Sequence, residues 1–131
     1  MAESLAETLE RVIDLCQQRF ETVQVIRHDV YDDYAVLWLE IEYKVYLLRI
    51  REVVRRDGSR KYAYYAFQDS QVVGGFDNAA DPRALQKKYG NAYTQHRLEP
   101  IPHYHTRDKT EVELTDEIHC IDFVQWVADN L

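Results

Sequence analysis

Between residues 23 and 77 the side chains follow a two-residue period, which is typical of β-strands with one buried face. The alternation of apolar and polar residues is clearest over 34–42, and it continues over 44–54. The pair Asp57-Gly58 then favours a tight hairpin, because this dipeptide readily takes the positive φ values of primed turns. Short polar turns separate the other segments. The sequence therefore predicts an antiparallel meander of about five strands over 23–77.

Helix signals lie on both sides of this meander. Ser4 and Glu7 have the spacing of a capping box, Asp81 precedes a proline as a helix cap does, and Thr115 precedes two acidic residues that suit a helix start. We expect helices in three segments, at residues 1–20, 81–90 and 115–131. The predicted fold class is α+β, a single domain over 1–131 in which an antiparallel sheet packs with N- and C-terminal helices.

The composition fits one globular domain. The chain has 131 residues, of which 46% are hydrophobic and 30% charged, so neither a disordered nor a fibrous protein is indicated. Its apolar runs are far shorter than the roughly 20 residues that cross a bilayer, so we expect no membrane association. Cys16 and Cys120 each fall on an apolar helix face, which indicates buried thiols and a cytoplasmic location.

The net charge of −7 argues against a general nucleic-acid coat protein. Basic residues are nevertheless concentrated between residues 49 and 65, at Arg49, Arg51, Arg55, Arg56, Arg60 and Lys61. Such a stripe can follow a phosphate backbone. It can equally protect the edge of a sheet from aggregation. The sequence leaves both interpretations open.

Two histidines, His103 and His105, lie two residues apart in a proline-containing segment over 98–107 that we expect to be extended. In an extended chain both side chains project to the same side. Two such imidazoles suit acid–base cleavage of RNA, in which one takes and the other gives a proton. They can also ligate a metal, with Asp77 and His96 as further ligands, or lie on the surface without a function.

Five other residues are candidates for the same site. Glu52 ends an apolar strand face, where it can be a site acid or base or can pair with an arginine. Asp77 can orient an imidazole and Asn78 can contact a phosphate, although this pair is also common in turns. Tyr62 and Tyr64 can stack on bases or pack in the core.

The order of four features along the chain is more specific than any one of them. They are Glu52, then Lys61-Tyr62-Ala63-Tyr64-Tyr65, then Phe76-Asp77-Asn78-Ala79, and finally Pro102-His103-Tyr104-His105. This order resembles the TumE family of toxins from toxin–antitoxin systems. The segment Ala80-Asp81-Pro82 and the residues Tyr104 and Thr106 depart from the histidine-rich pattern of that family. The resemblance implies an intracellular toxin that arrests growth and is neutralised by a cognate antitoxin protein.

Together these observations predict a TumE-like toxin that acts on RNA. His103 and His105 would be the acid–base pair, helped by Asp77 and Glu52. The substrate would be held by Arg49, Arg51, Asn78, Tyr62 and Tyr64. Two alternatives remain, a non-catalytic interaction module and a metal-dependent hydrolase that uses the same histidines. The sequence specifies no cofactor and leaves a homodimer open.

Overall fold

A computed structural model describes residues 3–131. The strands are β1 (Thr22–Val30), β2 (Tyr34–Tyr43), β3 (Tyr46–Arg55), β4 (Arg60–Gln68), β5 (Gln71–Asp77), β6 (His103–His105) and β7 (Val112–Leu114). The α-helices are α1 (Leu5–Arg19), α2 (Pro82–Tyr89) and α3 (Cys120–Asn130). Short 3-10 helices cover Gly90–His96 and Arg107–Lys109. The predicted α+β class is confirmed.

The strands of residues 3–131 form one sheet of seven, in which they lie in the order of the chain and pair antiparallel throughout. The first five are the predicted meander. The sequence-based expectation of about five strands omitted β6 and β7, which have three residues each. Three residues are too few for a two-residue period to be recognised. These two strands are defined by the pairing of β6 with β5 and of β7 with β6.

Helices α1 and α3 cover one face of the sheet, which we call the helix face. The main core lies there and includes Leu37, Ile50 and Tyr64, all fully buried. The ring of Tyr64 stacks on Phe123 of α3 with a centroid separation of 5.6 Å. The in-phase apolar residues of β2 and β3 therefore point where the alternation predicted, because a two-residue period places them all on one side.

The helix starts agree with the sequence at two of three places. Ser4 caps α1 through a capping box with Glu7, and Asp81 caps α2. Helix α3 begins at Cys120 and not near Thr115. The hydroxyl of Thr115 donates to the carbonyl of Asp116, and the chain bends at Asp116 without forming a helix. The helix begins after His119, whose N–H donates to the side chain of Asp122 at 2.8 Å. Local hydrogen bonding thus delays this helix.

The opposite face is covered only in part. Helix α2 packs near β7, where a small apolar cluster contains Ala84, Leu85, Ile101 and Val112. Farther along this face, strands β2 to β4 present half-exposed or exposed side chains, which we call the open face: Trp38, Glu40, Arg49, Arg51 and Phe67. Among residues 3–131, no helix is long and apolar enough to span a membrane.

Candidate functional site

Strand pairing places the two histidines beside Asp77. Residues that pair across antiparallel strands have side chains on the same face, and His103 pairs with Asp77 in the neighbouring strand. His105 pairs with Gly75 one step along. Both imidazoles and the carboxylate therefore project from the same side of the sheet, opposite to α1 and α3. The spacing of the histidines predicted that the two imidazoles share a side, and the structure adds which side it is.

The three side chains approach one another closely. The two Nε2 atoms of His103 and His105 are 3.1 Å apart. Asp77 reaches both rings, with Oδ1 3.2 Å from Nε2 of His103 and Oδ2 3.6 Å from Nε2 of His105. One atom from each residue thus lies within 4.8 Å of the others, as the ligands of a metal ion would.

A second carboxylate, that of Asp81, completes the group. Its Oδ1 accepts from the N–H groups of Arg83 and Ala84 at 2.8 and 3.2 Å, which caps α2. Its Oδ2 turns to the histidines, 4.0 Å from Nε2 of His103 and 3.7 Å from Nε2 of His105. We call Asp77, Asp81, His103 and His105 the His–Asp cluster.

Tyr65 holds Asp77 in this position. The phenol of Tyr65 donates to Oδ2 of Asp77, and the N–H of Ala79 donates to Oδ1 at 2.9 Å. The ring of Tyr65 lies directly across Gly75, where a β-carbon would be only 2.1 Å from Cδ1 of that ring. Glycine is therefore required at position 75, because any side chain would displace the tyrosine that orients the carboxylate.

The hydrogen bonds of His103 define its tautomer. Its Nδ1 is 2.6 Å from the carbonyl oxygen of Ile101. A carbonyl only accepts, so Nδ1 carries the hydrogen and donates it. When the ring is neutral, its Nε2 presents a lone pair to the cluster. Nδ1 of His105 is buried and has no hydrogen-bond partner in the described part of the chain.

The pKa values within the cluster diverge. Burial alone raises the pKa of Asp77, but hydrogen bonds from His103 and Tyr65 outweigh burial and lower it. Burial acts against the charged form of His103, yet the hydrogen bond to Asp77 leaves its pKa raised. Burial and the neighbouring His103 lower the pKa of His105. Burial and the bond to Asp77 raise the pKa of Tyr65, which keeps its proton. Asp77 is thus held as a carboxylate.

The histidines are shielded from solvent. His103 is 1% exposed and His105 is 4% exposed. Asp81 has the most accessible side chain of the four, at 18%. The two carboxylates of the cluster are therefore more accessible to a ligand than the two imidazoles.

The predicted phosphate contacts lie on the same side of the sheet. Arg51 pairs with Ala63, which pairs with Asp77, so all three share one row. The guanidinium of Arg51 lies over the ring of Trp38 at 4.3 Å. Arg49 lies one row farther along, and its guanidinium is 4.8 Å from the centre of the Phe67 ring. The open face therefore carries cationic and aromatic groups side by side, two strands away from the cluster.

The structure does not bring Glu52 to the histidines, because Glu52 belongs to the helix face. Its Oε1 lies 2.7 Å from Nη2 of Arg60, which also donates to the hydroxyl of Tyr64 at 2.8 Å. Tyr62 is on the same face and accepts from the N–H of Ile118 at 3.1 Å. Tyr62 and Tyr64 are both buried there. These three residues stabilise the core and cannot meet a substrate on the open face.

Asn78 and His96 are also used elsewhere. The Asn78 side chain accepts from the N–H of Tyr62 at 3.0 Å and donates to the carbonyl of Arg60 at 2.8 Å, so it ties the ends of two strands together. His96 stacks on Tyr89 at 3.7 Å and is 3.6 Å from Glu99. Neither residue reaches the His–Asp cluster.

Asp81 and Tyr65 belong to the site although the sequence did not predict them there. Asp81 was interpreted only as a helix cap, although a carboxylate has a second oxygen that remains free to bind another group. Tyr65 pairs with Arg49 of β3 and so shares its face of the sheet. The alternation along β4 could have shown that Tyr65 lies on the face opposite to Tyr62 and Tyr64.

Comparison with known proteins identifies no relative. No family model matches the chain, and neither a curated protein nor a solved structure does.

Proposed function

We propose that this chain is a TumE-like toxin that cleaves RNA, with the His–Asp cluster as its reacting centre. The observation that carries the proposal is the arrangement on one side of the sheet, where the cluster adjoins the open face with its arginines and aromatic rings. The resemblance of the sequence motifs to the TumE family supports the toxin role.

The open face supplies what a single RNA strand needs. Arg51 is exposed, and Arg49 is half-exposed beside Glu40, which is 3.5 Å away. Guanidinium groups bind phosphates through paired hydrogen bonds. Trp38 and Phe67, on which the arginines lie, offer surfaces for base stacking. Lys109 lies 4.8 Å above Tyr65, between this face and the cluster. A strand bound here would reach Asp81 and the imidazoles behind it.

We assign the chemistry to the cluster as a unit. Acid–base catalysis by two histidines needs each imidazole to reach a different oxygen of the substrate. In this protein the two Nε2 atoms face each other at 3.1 Å, and both lie next to Asp77. The two imidazoles therefore cannot act from opposite sides of a phosphodiester. We expect the scissile phosphodiester to bind at the His–Asp cluster, where all four side chains contact the same group of the substrate.

The test is RNA cleavage by purified, tag-free protein. A single-stranded RNA oligonucleotide is incubated with wild type, His105→Gln, Asp77→Asn and the matched control His96→Gln, and products are separated on a denaturing gel. We expect cleavage by wild type and His96→Gln only. Intact RNA with wild type, or equal cleavage by His105→Gln, would refute the assignment. Circular dichroism of each variant confirms folding.

A non-catalytic interaction module is the second candidate, and β1 favours it. This strand lies at one edge of the sheet and has exposed apolar residues at Val25, Ile26 and Val30. A cognate antitoxin can add a strand to such an edge. Induced expression separates the two functions. Growth arrest that persists unchanged in His105→Gln would favour the interaction module, and arrest that disappears would favour cleavage.

A further inference from the structure

We propose that the His–Asp cluster is the binding site of one divalent transition-metal ion of the zinc class. Its ligands would be Nε2 of His103, Nε2 of His105, the carboxylate of Asp77 and Oδ2 of Asp81. Metal binding itself is independent of RNA. Only its catalytic consequence rests on the proposed function.

The distances between the ligand atoms match a metal site. Bonds from zinc to nitrogen and oxygen are about 2.0–2.2 Å, so two ligands at a tetrahedral angle are about 3.3–3.6 Å apart. The two Nε2 atoms are 3.1 Å apart, and Oδ1 and Oδ2 of Asp77 lie 3.2 Å from His103 and 3.6 Å from His105, respectively. With one atom from each of these three residues, all ligand atoms lie within 4.8 Å of one another. Asp81 is 3.7 and 4.0 Å from the imidazoles. Small side-chain movements therefore suffice for all four to share one ion.

Charge supports the same assignment. Two carboxylates and two neutral imidazoles would carry a charge of −2, which one divalent ion balances. Asp77 and Asp81 lie against buried rings, where an unbalanced negative charge is costly. Among the described residues, two basic side chains lie near the cluster. Arg83 has its Nε 4.0 Å from Oδ1 of Asp81, the oxygen that caps α2 and not the one that faces the imidazoles. Lys109 lies over the ring of Tyr65.

Three of the ligands already have the supporting contacts that metal ligands usually have. His103 donates from Nδ1 to the carbonyl of Ile101 at 2.6 Å. Asp77 is fixed by the phenol of Tyr65 and the N–H of Ala79. Asp81 is fixed through its other oxygen by the first turn of α2. The lone pairs directed into the cluster are thus oriented before any ion binds.

The ligand types select the class of ion. Imidazole is a good ligand for zinc, iron, nickel and copper, whereas magnesium and calcium prefer an all-oxygen environment. Two imidazoles with two carboxylates therefore favour zinc over magnesium. Asp81, the most distant and most accessible ligand, is the one that a water molecule or a phosphate oxygen would replace, which would give the open position of a catalytic site.

The binding test needs no RNA. Tag-free protein is treated with EDTA, dialysed, and titrated calorimetrically with ZnCl₂ and separately with MgCl₂. We expect one zinc ion per chain, no comparable binding of magnesium, and a rise in Tm on adding zinc. His105→Gln and Asp81→Asn should weaken zinc binding at least about tenfold, the range seen even for supporting residues. Asparagine caps helices as well as aspartate does, so Asp81→Asn should leave α2 intact.

The control variant is His96→Gln, which removes a histidine of the same region outside the cluster and should bind zinc like wild type. Failure of wild type to bind zinc would overturn the proposal, and so would equal binding by wild type, His105→Gln and Asp81→Asn. RNA cleavage without zinc binding would refute the metal site alone. Zinc binding without RNA cleavage would support the metal site and refute the proposed function.

Discussion

Replacing Gly75 with alanine should disrupt the His–Asp cluster, because the added β-carbon would collide with the ring of Tyr65. The new β-carbon would be 2.1 Å from Cδ1 and 2.4 Å from Cε1 of that ring, well inside van der Waals contact. The ring must therefore move by more than about 1 Å to reach a contact distance of 3.5 Å or more. This movement separates the phenol from Asp77. Gly75→Ala thus removes the hydrogen bond that orients the central carboxylate of the cluster.

The expected loss of stability has two parts. Adding a methyl group to filled space costs about 1–3 kcal/mol, and loss of a hydrogen bond to a charged acceptor costs about 1.5–3 kcal/mol. Gly75→Ala should therefore lower the free energy of unfolding by about 2.5–6 kcal/mol. Tyr65→Phe keeps the ring in place and should cost only the second part. Zinc affinity should fall in both variants.

Urea unfolding followed by far-UV circular dichroism measures these changes, and a double-mutant cycle tests their cause. If alanine displaces the ring, Tyr65→Phe should cost almost nothing further in the Gly75→Ala background. An undiminished cost of Tyr65→Phe in that background would refute the reasoning. Gly58→Ala is the control, since Gly58 has a φ of +90° and open space around it. It should cost about 1 kcal/mol and leave zinc binding unchanged.

Three further predictions concern other parts of the molecule. Glu52→Leu should destabilise the fold by up to about 3 kcal/mol, because it removes the closer of the two carboxylates that pair with the mostly buried Arg60 and leaves Glu117, 3.4 Å from Nη1. Adding Arg60→Met should restore most of this loss in urea unfolding. If the double variant is no more stable than Glu52→Leu alone, or if it loses zinc binding, the placement of Glu52 on the helix face is contradicted. Arg51→Gln should weaken RNA binding and reduce the slope of log K against log salt by about 1 in fluorescence anisotropy titrations, and an unchanged slope would exclude a phosphate contact. The hydrogen bond with Cys16 and burial raise the pKa of the Cys120 thiol, and both cysteines are buried. Both thiols should therefore react with a disulfide reagent slowly in the native protein and rapidly in urea. Equal reaction rates under the two conditions would show that the thiols are accessible in the native protein.

The sheet could be predicted because its signal is local. Alternation in β2 and β3 is long enough to define two faces, and the Asp57-Gly58 turn fixes where the next strand begins. Strands β6 and β7 gave no such signal because each has three residues. The start of α3 was also misplaced, since the competing hydrogen bond of Thr115 has the same sequence signature as a helix cap.

The candidate site could be predicted only in part. Strand phase correctly placed His103 and His105 on one side. Phase also placed Glu52 with the inward residues of β3, as the structure has it. What phase could not show is that the helices cover the face of Glu52 and leave the histidines on the other. The prediction that Glu52 lies in one site with His103 and His105 was wrong for this reason.

The sequence by itself determined which residues alternate, where two of the helices begin and that the two histidines project together, because these properties depend on neighbours within a few positions. Tertiary structure decided that Asp77 pairs with His103 and that the free oxygen of Asp81 turns to the imidazoles. These contacts join segments that are separated by more than twenty positions. They arise from the pairing of β5 with β6 and the docking of α2, which depend on packing across the whole sheet.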